Sequence, residues 1–230
     1  HRANTLAGGW GMIGPLAPDE RSLTEPDELF HRTNRQYYRW LNCGIRMGVS
    51  GGSAMGVMAV PLGYNRTYAK VSGRLSAEKY WAAVKAGRTV ATSGPMLEMG
   101  IDGKGIGETI RIKSGGGLRL STRVRLRSAQ PVESVELVNN GKVIYSEALG
   151  GRKADPSFTS NVYLDVSPTR SGWYCARAYF RAPDGRLRQA HTSPVYLIVD
   201  GKPIASRSDA EYNIRWIDRL IQVANHPGRF

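Results

Sequence analysis

NCGIRMGVSGGSAMGVMAVPLGYNRTY, residues Asn42–Tyr68, sets Gly48, Gly51, Gly52 and Gly56 between short apolar runs. A glycine admits a ligand or a second backbone closer than any side chain would. The stretch therefore either cradles a ligand or packs two backbones together, and the choice decides what the protein does. Ile45–Val49 is short and apolar enough for a buried strand leading into the Gly/Ser loop. Val57–Val60 reads as a second apolar segment, and after the turn at Pro61-Leu62-Gly63, Asn65–Val71 has strand composition.

Upstream, residues 1–23 are Gly/Pro-rich with isolated apolar residues (Trp10, Met12, Ile13, Leu16) and read as irregular structure lying against a core. Thr24, followed by Glu25-Pro26-Asp27-Glu28, predicts a helix start. Leu29, Phe30, Thr33, Tyr37, Trp40 and Leu41 then recur at helical spacing up to Gly44. Downstream, Ser76 is an N-cap candidate for a helix with Ala77, Tyr80, Trp81 and Val84 on one face, closed by Gly87. Thr89–Thr92 reads as one more strand. Strand, loop, strand, helix, strand is an α/β rhythm.

From about Met96 the rhythm changes. Leu118–Leu126, LRLSTRVRL, alternates apolar or Thr with Arg or Ser, the period of a half-buried strand. Val132–Val138 and Lys142–Ser146 flank Asn139-Asn140-Gly141, a hairpin signal. Asn161–Val166, Gly172–Phe180, Leu187–Ala190 (after a Pro183-Asp184-Gly185 turn) and Val195–Val199 complete a series of strands without intervening helices, which predicts a β-sandwich. A last helix opens on a Ser208–Glu211 capping box, carries an apolar stripe at Ala210, Ile214, Ile217, Leu220, Ile221 and Ala224, and ends at Pro227-Gly228.

The 230 residues suffice for one large domain or two modest ones, and 41% hydrophobic content with a mean hydropathy of -0.36 is ordinary for a globular chain. No apolar run reaches the roughly 20 residues of a membrane helix. The net charge of +13 is mostly arginine spread along the chain. With no RNP-like motif, finger spacing or basic helix, it reads as a solvated basic surface and not as a nucleic-acid binder. Cys43 and Cys175 are too few for a disulfide framework, and buried free thiols are favoured over a single bridge. His1, His31, His191 and His226 lie far apart with no HxH or HExxH spacing, so no complete metal site is visible. Both termini read as cuts through a longer protein, which leaves the compartment open, including export through a signal encoded upstream.

Chemistry has few carriers. Ser50-Gly51-Gly52-Ser53-Ala54-Met55-Gly56 offers backbone amides and two hydroxyls at a strand end, where α/β folds collect ligands. It lacks the lysine of a P-loop and is no GxSxG elbow. Ser50, Ser53, Asn65 and Arg66 are the candidate substrate-binding residues, the last two as partners for a carboxylate or phosphate. Alternatively, Arg66 ties down the loop. Arg88 reads as a helix C-terminal cation. Arg119, Arg123 and Arg125 read as a solvated sheet face, with Glu136 as a pairing candidate on the next strand. His191 reads as structural, and Tyr174, Tyr179 and Phe180 as sandwich core.

Several motifs, in order, resemble one family: Tyr37-Tyr38-Arg39-Trp40-Leu41-Asn42-Cys43-Gly44, Val49–Gly56, Pro61–Arg66, Lys85–Thr89, Thr92–Pro95, His191–Tyr196 and Glu211–Asp218. Together they resemble the C-terminal half of CehA/McbA-type metallohydrolases, bacterial PHP-domain-like proteins. The resemblance implies an α+β chain: the end of a PHP-like (β/α) barrel over residues 1–95, an antiparallel Ig-like β-sandwich over 96–203, and a helix over 204–230 docking back. It implies zinc or manganese activating water against ester, carbamate or phosphoester bonds of a small-molecule substrate. The barrel's N-terminal half would then be the missing partner, and this fragment would be inactive alone. The family slot Gly-Ser-Asp-x-His reads Gly52-Ser53-Ala54-Met55-Gly56 here, with Ala54 and Gly56 where ligands would stand. The alternative is a non-catalytic binding or scaffold protein whose sandwich grips a glycan or a protein partner.

Overall fold

The structure, a computed structural model, describes residues 28–53, 61–115, 118–150, 159–181, 185 and 187–225. The expectations for residues 1–23, the Thr24 cap, Val57–Val60, the Ala54/Gly56 slot, Pro183-Asp184 and Pro227-Gly228 lie outside them. In chain order the elements are α1 (Glu28–Asn42), β1 (Arg66–Ala69), α2 (Ala77–Lys85), β2 (Thr89–Thr92), β3 (Met96–Ile101) and β4 (Lys104–Gly105). Next come β5 (Thr109–Ile112), β6 (Leu120–Arg127), β7 (Ser134–Asn139), β8 (Lys142–Ala148) and β9 (Thr159–Val166). The series ends with β10 (Gly172–Arg181), β11 (Leu187–Thr192), β12 (Val195–Val199) and α3 (Arg207–Ala224).

Two sheets stack. The larger is built on β10, which pairs with β7 along one edge. Along its other edge it pairs with β12 at Gly172–Tyr174 and with β11 at Arg177–Arg181. β8 extends this sheet beyond β7, β2 and β1 extend it beyond β11, and β5 lies parallel beside β12. The smaller sheet has the order β4-β3-β6-β9 and is antiparallel throughout.

The alternation of β10 explains the layering, because successive side chains in a strand point to opposite faces. Tyr174, Ala176, Ala178 and Phe180 enter the core between the sheets, with Leu97, Met99 and Ile101 of β3 and Val124 and Leu126 of β6. Trp173 and Cys175 face the other way and are covered by Tyr37, Tyr38 and Leu41 of α1. The molecule thus has three layers: small sheet, large sheet and helix. The tip joining β7 to β8 is a two-residue turn with Asn140 at φ 48° and Gly141 at φ 85°, the left-handed pair a type I′ turn requires.

These pairings correct the expected fold class. The described residues up to 95 do not form the end of a (β/α) barrel. β1 and β2 are antiparallel, and β2 joins β11, so strands from both sides of residue 95 share one sheet. A barrel needs parallel strands covered by helices. Among the described residues the one parallel pair is β12–β5, and α2 buries only Ala83 while Trp81 stays 65% exposed. The cap of α2 is as expected, with Ser76 Oγ accepting from Lys79 N at 3.3 Å. Its face Ala77, Tyr80, Trp81 and Val84 is not a buried one.

α3 also presents a different face from the expected one. Tyr212 and Trp216 are buried beside Trp40 of α1, and the Arg39 guanidinium lies 3.4 Å from the Tyr212 ring centre. Gln36 Nε2 donates to Asn213 Oδ1 at 3.2 Å, and Asn42 Nδ2 to Asp209 Oδ2 at 3.0 Å. Ile214, Ile217, Leu220 and Ile221 are exposed. Aromatic and polar groups pair across the helices, while the aliphatic stripe flanks an apolar groove of about 490 Å³ beside Trp40, Cys43 and Ile45. Ser206 Oγ, not Ser208, accepts from the first turn (Asp209 N, 3.3 Å), and Glu211 bonds Arg207 Nε at 2.8 Å instead.

The opening question is settled at Gly48, where two backbones pack together. A Cβ on Gly48 would stand 2.9 Å from Gly87 Cα and 2.9 Å from Thr89 Oγ1, and one on Gly107 would stand 2.3 Å from Ala86 O. Gly48→Ala is therefore expected to lower unfolding stability by about 1–3 kcal/mol, the range for overpacking. Gly52→Ala, with nothing within 4 Å, is expected to be near neutral. Thermal unfolding of the two variants checks this, and equal melting temperatures would contradict it.

Candidate functional site

The segment expected to be a strand at Ile45–Val49 forms no ladder. Its backbone bonds are taken up by hydroxyls. Val49 N donates to Ser193 Oγ at 3.0 Å, Thr89 Oγ1 donates to Val49 O at 2.7 Å, and the two hydroxyls meet at 2.8 Å. Beyond it the Gly/Ser loop is sewn to the edge of β1. Gly51 N donates to Thr67 Oγ1 at 2.9 Å, which returns a bond to Gly51 O at 3.1 Å. Asn65 N donates to Ser53 Oγ at 3.0 Å, and Asn65 Nδ2 to Gly52 O at 3.1 Å.

Of the four candidate substrate residues, the structure thus brings Ser53 and Asn65 together. Both are buried, and both are spent on holding the loop. Ser50 and Arg66 are exposed, and the Arg66 guanidinium lies 6.0 Å from the Tyr68 ring centre. Ser53, Asn65 and Thr67 act as a latch on an edge strand.

The second candidate centre lies beneath α1. Glu136 and Val138 of β7, Cys175 and Arg177 of β10 and His191 of β11 share the face that α1 covers. His191 Nδ1 sits 2.8 Å from Thr192 O, a carbonyl that can only accept, so the proton is on Nδ1. Nε2 then accepts from Tyr38 OH at 2.8 Å, and Arg177 Nη1 donates to the same hydroxyl at 3.4 Å. Arg177 Nε is bonded to Glu136 Oε2, which is the true partner of that carboxylate; Glu136 does not pair with the arginines of β6. Tyr179 OH completes the chain on Glu136 Oε1 at 3.2 Å.

Cys175 Sγ lies 3.7 Å from His191 Nε2, a thiol–imidazole proximity that invites a nucleophile reading. The electrostatics oppose it. Burial pushes the Cys175 thiol up to about 12 and the His191 imidazole down to about 4, so both are neutral at pH 7. The imidazole cannot take the thiol proton, and neither side chain reaches solvent.

This depressed pKa carries a stability consequence. An unfolded histidine binds a proton near pH 6.5, while folded His191 resists until about 4. Between those values the unfolded chain binds more protons, so folded stability falls as pH drops through this window, by roughly 3 kcal/mol. Denaturant unfolding from pH 7 to pH 4.5 should show that slope, and His191→Gln should flatten it between pH 6.5 and 5. Parallel slopes would contradict the assignment.

The zinc or manganese implied by the family resemblance finds no fitting donor set among the described residues, where no group of three His, Cys, Asp or Glu side chains converges. The Cys175–His191 pair is not a substitute, since a thiol ligand binds as thiolate. Both cysteines are free thiols.

The sequence reading passed over a cleft on the outer face of the small sheet. In register across four strands stand Gly105, Gly100, Arg123 and Tyr163, and the next row carries Glu98, Arg125 and Asn161. The two glycines add no side chain there, although Lys104 O and the Glu108 carboxylate, which accepts from Gly105 N at 2.7 Å, stand close to them, and a cleft of about 420 Å³ opens, bordered by Lys70, Lys104, Arg123, Arg125 and Tyr163. Tyr163 is 66% exposed with the Arg123 guanidinium 5.7 Å from its ring centre, and Arg125 Nη1 is 3.7 Å from Glu98 Oε2. The signal was legible: period two in β9 turns Val162 and Val166 inward and Tyr163 outward.

No protein-family model matches the chain, and no curated protein matches it. Among solved structures the chain is similar to the CARDB domain of the PF1109 protein from Pyrococcus furiosus, in complex with di-metal ions. That likeness covers 46% of this chain and 96% of that one at 14% identity, with a TM-score of 0.27, and no function passes across it. No helix among the described residues is long and apolar enough to cross a membrane.

Proposed function

We propose that the chain is a non-catalytic binding module, its β-sandwich gripping a glycan or protein partner. The observation that carries this reading is the contrast between the two kinds of polar group. Four groups with catalytic chemistry, Cys175, His191, Ser53 and Asn65, are buried and bonded to their own fold. Those left reachable, Arg123, Lys104 and Tyr163, border an open cleft on the small sheet. Binding needs a preformed concave surface with a few placed polar groups, which this cleft supplies.

The rival proposal follows from the family resemblance: a fragment of a metal-dependent hydrolase, inactive alone, whose substrate and metals would be held with a missing partner segment. Two experiments test these readings. Retention on a glycan array, lost on replacing Tyr163, supports the binding module. Turnover of p-nitrophenyl esters or phosphates by the purified chain with added zinc or manganese would overturn the module as non-catalytic and the fragment as inactive alone.

A further inference from the structure

Resting on the binding-module reading, we propose that the cleft on the small sheet takes an acidic sugar, a uronate unit of a polysaccharide. Gly100 and Gly105 add no side chain to the floor, which Lys104 O and the Glu108 carboxylate, accepting from Gly105 N at 2.7 Å, close on one side, leaving the cleft open toward Arg123 and Tyr163. Its volume of about 420 Å³ lies within the roughly 300–1,000 Å³ of small-molecule sites. Tyr163 stands up beside this floor, offering an aromatic face to the apolar C–H side of a pyranose. Arg123 stands in register between Gly100 and Tyr163, its guanidinium 5.7 Å from the Tyr163 ring centre, where it can meet a carboxylate with two parallel bonds.

The acidic groups decide the class of polymer. Glu98 and Asp102 border the cleft with the four cations. Their carboxylates accept from sugar hydroxyls. A uronate ring presents free hydroxyls beside its carboxylate and so meets both signs on this rim. The deoxyribose-phosphate backbone of a single DNA strand matches the cations but brings no free hydroxyl for the two carboxylates.

The test is titration calorimetry on the full chain with oligogalacturonate and oligoalginate, beside neutral dextran and a single-stranded oligothymidylate, at low and at physiological salt. The expected result is uronate binding that weakens with salt, with about tenfold losses in Tyr163→Ala and in Arg123→Ala and incomplete rescue in Arg123→Lys. Tyr163 is exposed and Arg123 lies on the outward face, so both variants should melt with the wild type. Neutral dextran bound as tightly as the uronates, through Tyr163, would overturn the acidic-sugar inference and leave the binding module standing. Oligothymidylate bound in preference to sugar would overturn the inference in favour of nucleic acid. Uronate binding indifferent to both substitutions would overturn the site. No glycan retained at all, together with metal-dependent ester turnover, would overturn the module reading itself.

Discussion

Trp173→Ala is expected to remove about 3–5 kcal/mol of unfolding stability, the range for truncating a fully buried aromatic. Trp173 is 0% exposed and lies against the Tyr38 ring, with centres 5.0 Å apart. Its indole Nε1 donates to Asn42 Oδ1 at 2.8 Å, tying the large sheet to the last turn of α1. Alanine would leave a cavity under the helix and strand that amide oxygen. Since whole domains hold only about 5–15 kcal/mol, the variant should be largely unfolded in mild denaturant. Trp173→Phe keeps the ring and loses the donor, so it should cost far less, with about 1 kcal/mol of that from the hydrogen bond. Guanidinium unfolding of the three proteins checks the order. An alanine variant within 1 kcal/mol of wild type would mean that α1 does not seal this face.

The second large effect belongs to Glu136. The Glu136 and Arg177 side chains are only 9% and 15% exposed, so little solvent screens them. Removing one partner of such a pair leaves a charge buried without compensation, which costs about 3–5 kcal/mol. Glu136→Ala is expected to fall in that range and to lose the Tyr179 hydroxyl bond as well. The double variant Glu136→Leu/Arg177→Met should recover most of the loss, because two apolar side chains of similar size need no charge partner. A double-mutant cycle measures the coupling, and simple additivity of the two single losses would contradict the pairing.

Strand periodicity carried most of the legible fold. Leu120–Arg127 alternates in burial as its arginines require, and the Asn140-Gly141 turn, the Ser76 cap and β12 lie where the residues place them. β3 is not among the strands read from the sequence, although Leu97, Met99 and Ile101 recur at period two. The barrel expectation failed for a physical reason. A short strand followed by a helix looks the same in sequence whether the next strand returns parallel or antiparallel. Only long-range pairing, here β2 with β11, decides it.

The candidate site was less legible still. Ser53 and Asn65 were recognised as polar residues near glycines, but a hydroxyl that latches a loop and one that holds a substrate have the same letter. The arginines of β6 were correctly placed outward, yet Tyr163 became their neighbour only through the β6–β9 register. In α3 the aliphatic stripe outweighed Tyr212 and Trp216 by count, while the structure buries the aromatics because α1 presents Arg39 and Trp40 to them.

The position of β10 has a consequence for synthesis on the ribosome. The strand that organises the large sheet begins at Gly172, and β2 reaches it only through β11, where His191 faces Ala91. At roughly 5–20 residues per second, β2 and β7 leave the exit tunnel seconds before β11 and β10, so each has one unpaired edge even with β1 and β8 in place. An unpaired strand edge is the form most open to pairing with a wrong chain. A nascent chain interrupted before Gly172 would keep those edges permanently. Full-length product should therefore stay soluble where such fragments are recovered only with chaperones or in aggregates.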